Sequence, residues 1–418
     1  MPFKKTKLSS ESKYANLLGA FIRIHREKEN MSINFMADVV KISKPYLSEL
    51  EHGKHIAQPY TLKQISKALG VPFYQEESTL KELEHDVHDI FKLYTEMSGK
   101  EEYQVYQKVI SIEKYKYSYS FLLYYLVVFM GAVRFNENLD QAEIYKDILL
   151  DNLDLLSRDD KIIFYDLLAV KYITEKNYQK AYQYLNSVID EESSVASPMI
   201  FYHMCIVNQE LNKASEALLY CLKAEELFQK QYTLNRILYL IMYKGNCLTR
   251  LGAISTAKSF YLTALDKCSL FGVHRLKAAI FDNLAWNALK GKAYKECISY
   301  TDNAIKAGSV FADIYLYKPI SFYFLGDYKE CRLLINNQIS KFKVKTFHHD
   351  MLKTISCLLD NDYEGASMYL ETILHENIDC ENRIFVLEML CDIQKLQNNY
   401  KKLSLYQNEI IMLSTRIY

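Results

Sequence analysis

The sequence predicts an all-α protein in which a small first domain precedes a long array of helical hairpins. Half of the 418 residues are apolar, and only 12 glycines and 6 prolines interrupt them, a composition that favours helices. A short pattern also returns every 34 to 40 residues through most of the chain, as in repeat architectures. We therefore expect a first domain at residues 1–75 and a repeat domain at residues 76–418.

Residues 36–54 are predicted to form two short helices joined by a tight turn. Ser43 lies where an N-cap belongs, and Pro45 fits the first helical turn, where a missing N–H costs little. The second helix should span about 44–51 and end before Gly53. This arrangement is typical of a helix-turn-helix whose second helix, the recognition helix, enters the major groove of DNA.

Residues 17–69 resemble the Cro/C1-type (XRE) helix-turn-helix family. The similarity is carried by Leu18, Ile22, Arg26, Met36, Ala37, Ser43, Leu47, Ser48, Leu50, Glu51, Gly53, Lys54, Leu62, Ile65 and Leu69, followed by Gly70 and Val71. The resemblance implies an ion pair between Arg26 and Glu51. The sequence departs from the family pattern at Ile33, where a glutamine that contacts DNA is usual.

The resemblance also implies which residues contact double-stranded operator DNA. They are Ser43, Lys44, Pro45, Tyr46, Ser48, Glu49 and Lys54. Pro45 occupies a usual base-reading position, so direct readout should depend on Lys44, Tyr46 and Glu49. The alternative is a helix cluster that binds only protein. Charge favours DNA, because residues 1–75 hold twelve Lys/Arg against six Asp/Glu, whereas the remainder holds 39 against 45.

The repeated unit consists of a turn residue, an aromatic or apolar residue, and a small residue three positions later. The turns are at Asn138-Leu139, Asn177-Tyr178, Lys213-Ala214, Ala253-Ile254, Ala293-Tyr294, Asp327-Tyr328, Asp362-Tyr363 and Asn399-Tyr400. This spacing is the tetratricopeptide signature. It predicts seven clear repeats, with one or two degenerate ones between residues 85 and 170. Because no hairpin buries its apolar face alone, the repeats should stack into a right-handed superhelix with a concave inner face.

Polar and aromatic residues on the first helices of these repeats are candidates for binding a peptide on the inner face. They are Tyr202, Gln209, Tyr239, Asn246, Arg250, Asp282, Asn283, Trp286, Asn287 and Lys290. Asparagine grips a peptide backbone through both its C=O and its NH₂, so Asn246, Asn283 and Asn287 suggest a ladder for an extended peptide. The alternative is that these asparagines are solvated surface residues.

An XRE head on a long tetratricopeptide body resembles the peptide-pheromone receptors of Gram-positive bacteria and their phages (the Rap, Rgg, NprR, PlcR and PrgX grouping). The segment from Gly245 to Leu248, leading to Ala257 and Ala264, is also similar to the arbitrium receptors that decide between lysis and lysogeny. The resemblance implies a short signalling peptide that controls operator binding in the cytoplasm. The rival hypothesis is a tetratricopeptide scaffold that sequesters a partner protein and carries an auxiliary helix-turn-helix.

The sequence predicts no enzyme, cofactor, metal site or membrane span. It contains no phosphate-binding Walker loop, nucleophile elbow or zinc-protease motif, although phosphatase activity, found in some relatives, stays an alternative. His348-His349-Asp350 is interpreted as a solvated loop or helix start. The nine scattered cysteines are expected to be core thiols. The apolar run at 121–133 has 13 residues, short of the roughly 20 that span a bilayer, and predicts a buried helix.

A homodimer is expected, since one recognition helix reads few base pairs. The predicted contact is the C-terminal repeats, where two apolar surfaces lack a further repeat to cover them. The first consists of Phe385, Leu387, Met389, Leu390 and Ile393, and the second of Leu403, Leu405, Ile410, Ile411, Met412 and Ile417.

Overall fold

A computed structural model describes residues 10–191, 193, 197–270, 273–376 and 378–414. Within these ranges the chain forms 23 α-helices and one isolated β-bridge, between Tyr74 and Ser118, which confirms the all-α prediction. The chain divides into two compact units after Ile200. The predicted domain boundary at residues 75 and 76 stays a prediction.

The first unit begins with one long and three short helices and continues with seven more. They are α1 (Ser10–Lys28), α2 (Ile33–Val40), α3 (Lys44–Glu51), α4 (Pro59–Leu69), α5 (Ser78–Glu96), α6 (Gly99–Ile110), α7 (Glu113–Lys116), α8 (Phe121–Phe135), α9 (Leu139–Asp151), α10 (Arg158–Thr174) and α11 (Tyr178–Val188). Helices α1–α4, called the head below, coincide with the segment predicted to bind DNA.

The remaining helices are α12 to α23, and the division between the units falls inside α12. They are α12 (Ser197–Glu210), α13 (Ala214–Lys230), α14 (Leu234–Arg250), α15 (Ile254–Leu270), α16 (Lys277–Lys290), α17 (Tyr294–Lys306), α18 (Ile314–Leu325), α19 (Tyr328–Gln338), α20 (Phe347–Leu359), α21 (Tyr363–Leu374), α22 (Cys380–Leu396) and α23 (Tyr400–Ser414).

Successive helices from α8 to α23 pair into hairpins in the described chain. Seven of these pairs pack along their lengths, and α12 meets α13 through the ring pairs Phe201–Tyr220 and Tyr202–Phe228. Every predicted turn lies between two paired helices. Several turn residues cap the second helix: Asp362 accepts a hydrogen bond from Gly365 N at 2.9 Å, and Asn177 accepts one from Lys180 N at 3.2 Å. The predicted small residues are buried in these second helices. They are Ala142, Ala181, Ala217, Ala257, Cys297, Cys331 and Ala366.

The head packs against the helices that follow it in the first unit through aromatic rings. Phe21 of α1 lies 4.7 Å from Phe73 and 5.5 Å from Phe121, between ring centroids. Tyr119 lies 5.2 Å from Phe73 and 4.8 Å from Tyr14. Because Phe121 begins α8, this cluster joins the head directly to the first hairpin.

The prediction that helix α22 leaves an uncovered apolar face is wrong. Its five predicted residues are all buried: Phe385, Leu387, Met389, Leu390 and Ile393. The second unit folds so that α22 packs against α16, where Phe385 lies 5.5 Å from Trp286 between ring centroids. This contact covers part of the apolar face of α22.

Helix α23 differs from α22 in its exposure. Leu405, Ile411 and Met412 are exposed, whereas Leu403 is buried. Ile417, which the sequence placed in the same apolar set, lies outside the described residues.

Three smaller predictions have different outcomes. The run at 121–133 is the buried helix α8, as predicted, and no helix of the described chain is long and apolar enough to cross a membrane. The cysteines are free thiols, and seven of the nine are buried. The solvated position expected for His349 and Asp350 is wrong, because both are buried near the start of α20 and hydrogen-bonded to each other at 2.7 Å.

Candidate functional sites

The recognition helix begins and ends where the sequence predicts. Ser43 has extended backbone angles, and its Oγ accepts a hydrogen bond from Tyr46 N at 3.3 Å, so it is the N-cap of α3. Pro45 occupies the first turn. The helix ends at Glu51, and Gly53 follows with a φ of +67°, a conformation that glycine adopts without strain.

A close approach of two backbones seats α3 on α1. A Cβ atom added to Gly19 would lie 2.4 Å from the carbonyl oxygen of Leu50 and 2.8 Å from that of Glu51. Only glycine therefore allows this crossing. The sequence analysis did not single out Gly19, since a lone glycine inside a predicted helix gives no sign of what it faces.

Arg26 and Glu51 form the ion pair that the XRE resemblance implies. Arg26 Nε lies 2.6 Å from Glu51 Oε1 and Nη2 lies 2.9 Å from Oε2. The side chains are 11% and 4% exposed. Arg26 Nη1 also donates to the carbonyl of Met31 at 2.8 Å. The hydrogen bonds to Glu51 raise the pKa of Arg26, and the bidentate pair fixes the end of α3 against α1.

The predicted DNA-contact residues lie on the open side of the head. Ser43, Lys44, Pro45 and Lys54 are exposed, and Tyr46, Ser48 and Glu49 are half-buried. Leu47 and Leu50 point into the core instead. The exposed face is thus free to meet a ligand, although the individual base and phosphate contacts stay predictions.

Glu49 has two basic neighbours on this face. Its carboxylate lies 3.8 Å from Lys54 Nζ and 3.5 Å from His55 Nε2. His55 was not among the predicted residues. Exposed pairs of this kind contribute little to stability, so the pairing with Glu49 holds neither basic group firmly in place.

Three predicted inner-face residues contact helix α22. Arg250 Nε lies 3.1 Å from Glu381 Oε2, and Trp286 Nε1 donates to Glu381 Oε1 at 2.8 Å. Lys290 Nζ lies 3.3 Å from Glu388 Oε2. The structure therefore brings Arg250, Trp286 and Lys290 together, but against a helix of the same chain. A cavity of about 320 Å³ beside Lys290 is lined by residues of α16 and α22, among others.

Other predicted inner-face residues make hydrogen bonds inside the second unit. Asn246 Oδ1 accepts from Tyr261 Oη at 2.9 Å. Buried Asn287 donates to the carbonyl of Ile254 at 3.1 Å and accepts from Thr249 at 2.8 Å. Gln209 donates to Cys205 Sγ at 3.3 Å. Peptide binding by these residues stays a prediction. The bonds of Asn246 and Asn287 join neighbouring helices, whereas that of Gln209 lies within α12.

The remaining predicted residues occupy different surroundings. Tyr202 is buried, with the guanidinium of Arg236 at 4.9 Å from its ring, and the sequence analysis missed Arg236. Tyr239 and Asn283 are half-buried.

Asp282, one turn before Trp286 on α16, is a buried acid without compensation. The residue is only 9% exposed, and its Oδ1 has no hydrogen-bond partner among the described residues. Burial and, to a smaller extent, the negative charge of Asp313 together raise the pKa of Asp282 to about 7. A carboxyl in this state favours the arrival of a cation.

Comparison with known proteins supports this arrangement at the level of the fold. Residues 22–75 match the helix-turn-helix family HTH_3. No curated protein matches the chain.

Several solved structures are similar to most of the chain. A Rap protein complexed with competence and sporulation factor has a TM-score of 0.64 and 13% identity, covering 81% of this chain and 99% of its own. NprR in complex with its cognate peptide NprX has a TM-score of 0.61 and 14% identity, covering 80% and 99%. Aspartyl phosphate phosphatase F from Bacillus subtilis has a TM-score of 0.51 and 13% identity, covering 98% and 96%.

The chain joins a helix-turn-helix domain to a Rap-like and NprR-like repeat fold. The similarity to this grouping, predicted from the head and the repeat spacing, is therefore confirmed.

Proposed function

We propose that this protein is a sequence-specific transcription regulator whose binding to operator DNA is controlled by a short signalling peptide. The observation that carries the proposal is a firmly seated, exposed recognition helix in a chain most of which has the fold of structures that contain a peptide. The Rap and NprR structures contain competence and sporulation factor and NprX, respectively. A comparable peptide would give this chain a role in quorum sensing or in a phage lysis–lysogeny decision. The proposal assigns no catalytic step to the chain.

The DNA-binding part of the proposal rests on charge and exposure. The exposed side of α3 carries Lys44, and Lys54 follows just beyond its end. The excess of basic residues in the first 75 positions attracts phosphate. Base contacts then select the sequence, while phosphate contacts set the position of the head.

Lys44→Ala is expected to change which operator is preferred, and Lys54→Ala to weaken binding to all sequences alike. A bidentate base contact contributes roughly 1–3 kcal/mol of discrimination, which corresponds to about 5- to 150-fold in relative affinity. Glu49→Ala should also alter the preference. Fluorescence anisotropy with an operator and its single-base variants, at two salt concentrations, measures both effects. Lys81→Ala, at an exposed position of α5, is the matched control. Unchanged operator ranking in the Lys44 and Glu49 variants would contradict the assignment of α3.

The peptide-binding part rests on the inner-face residues of α14 and α16. Asp282 has no compensating charge, so a cationic side chain of the peptide is its natural partner. Asn283 and Tyr239 are partly accessible and complete the candidate surface. A peptide that contacts several hairpins binds one arrangement of them better than another, and this differential affinity is what shifts a conformational equilibrium.

We further propose that the regulator is a homodimer. The exposed apolar residues Leu405, Ile411 and Met412 of α23 offer an apolar surface to a second copy of the chain. Two heads would then address two half-sites about one helical turn, or a multiple of it, apart. The stoichiometry of two chains per operator can be measured in the same DNA titration.

A further inference from the structure

Two donors from different helices converge on one carboxylate in the second unit. Arg250 of α14 engages Oε2 of Glu381 at 3.1 Å, and the indole N–H of Trp286 on α16 donates to Oε1 at 2.8 Å. Both oxygens of the carboxylate are therefore bound. The Arg250 and Glu381 side chains are each only 17% exposed. This is the geometry by which proteins recognise a carboxylate group.

Two further residues of α22 contact α16 next to this carboxylate. Glu388, seven residues after Glu381, pairs with Lys290 at 3.3 Å, and Phe385 lies between them with its ring edge-on to Trp286 at 5.5 Å. Two carboxylates and one aromatic ring of α22 thus cover the same inner-face residues that the sequence predicts to bind a ligand.

Arg250 is held ready for an anion by contacts that do not involve α22. Its Nη1 donates to the backbone carbonyl of Gln209, so a second nitrogen of the guanidinium is held by α12. Burial disfavours the charge, but nearby acidic groups, Glu381 first, raise the pKa of Arg250. A charged, oriented and largely buried guanidinium cannot be left without an acceptor, because an unpaired buried charge is strongly destabilising.

We propose that Arg250 and Trp286 form a carboxylate-binding site, which Glu381 fills in this structure and which a carboxylate of a bound ligand fills in its place. That the ligand is a peptide, which offers a carboxylate at its C-terminus, rests on the proposed function. The site itself does not. Exchange of one carboxylate for the other releases α22 from α14 and α16, so the ligand-free and ligand-bound states differ in a defined contact.

The test uses Trp286, the only tryptophan in the chain, as an intrinsic fluorescence reporter. Glu381→Ala removes the acceptor and is expected to shift the emission to longer wavelength as α22 loosens and water reaches the indole. N-acetylglycine carries a carboxylate next to an amide and should shift the emission of this variant back with saturation. N-acetylglycinamide has no carboxylate and should leave it unchanged.

Three further variants make the result specific. Glu364→Ala removes an acidic side chain from an exposed position of α21, away from the docked face of α22, and should retain wild-type emission. Glu381→Gln keeps the shape of the side chain and one acceptor oxygen, and should give an intermediate emission. This variant replaces Glu381→Ala in the test if the alanine variant folds poorly. Arg250→Met in the Glu381→Ala background should abolish the response to N-acetylglycine. Circular dichroism checks that each variant is folded.

The proposal is overturned if Glu381→Ala and Glu381→Gln both keep the wild-type emission, or if the two acetylated glycines act alike. Neither DNA nor a signalling peptide enters this assay. A failure of the proposed regulatory function therefore leaves the result unchanged, and the two failures are distinguishable.

Discussion

Arg26→Met is expected to destabilise the head by about 3–5 kcal/mol, because it leaves the buried carboxylate of Glu51 without its partner. The ion pair also holds the end of α3 against α1. Arg26 in addition donates a hydrogen bond to the carbonyl of Met31, in the connection between α1 and α2. Operator affinity should therefore fall for every sequence tested. This differs from the selective effect expected of Lys44→Ala.

Denaturant unfolding and hydrogen exchange of the α1–α4 amides measure this loss. Glu27→Ala is the matched control, since Glu27 is 60% exposed and lies 3.4 Å from the same guanidinium, where removal of a partner should have little effect. The double variant Arg26→Met/Glu51→Met removes both charges and should recover much of the stability. A single Arg26 variant as stable as the wild type would show that the pair does not hold α3 in place.

Asp282→Asn is expected to stabilise the second unit at pH 8 and to change it little at pH 4. The ordinary pKa of 3.8 is raised to about 7 by burial and by Asp313, so the unfolded chain releases this proton at a lower pH than the folded chain does. The contribution of Asp282 to the free energy of unfolding is therefore largest below pH 3.8 and declines as the pH rises toward 7. At about 1.4 kcal/mol for each pKa unit, the loss at pH 8 has an upper limit of roughly 4 kcal/mol.

Melting temperatures of wild type and variant at pH 4 and pH 8 test this sign. Asp266→Asn, at an exposed position of α15, controls for general charge effects. The nearby ionisable groups Asp313, Tyr317 and His348 remain in both proteins, and His348 is bonded to Asp313 at 2.6 Å. Equal differences between wild type and Asp282→Asn at both pH values would mean that Asp282 is compensated in solution.

Much of the head follows from the local sequence. The N-cap, the proline in the first turn and the glycine beyond the helix end are signals that lie within ten residues of one another, and they place α3 at Lys44–Glu51. The Arg26–Glu51 pair came from the family resemblance. The repeat turns were equally predictable, because each hairpin uses the same short pattern.

The inner face was less predictable because its contacts join distant parts of the chain. The Trp286–Glu381 hydrogen bond spans 95 residues, and no spacing rule connects a tryptophan in one repeat with a glutamate three repeats later. Asn287 is of a residue type usually found at the surface, but it forms hydrogen bonds with Thr249 and Ile254 inside the unit. His349 and Asp350 are likewise buried and hydrogen-bonded to each other, and a short run of polar residues in the sequence does not reveal this.

Operator binding measured with and without a short peptide tests the central claim most directly. The titration uses the full chain, DNA from beside its own gene, and synthetic peptides encoded by small neighbouring open reading frames. We predict tight, salt-sensitive, sequence-selective binding that one peptide changes by about 5- to 150-fold, and an equal change in peptide affinity when operator is present. Weak binding that is alike for all DNA sequences, or operator binding that none of these peptides alters, would contradict the account.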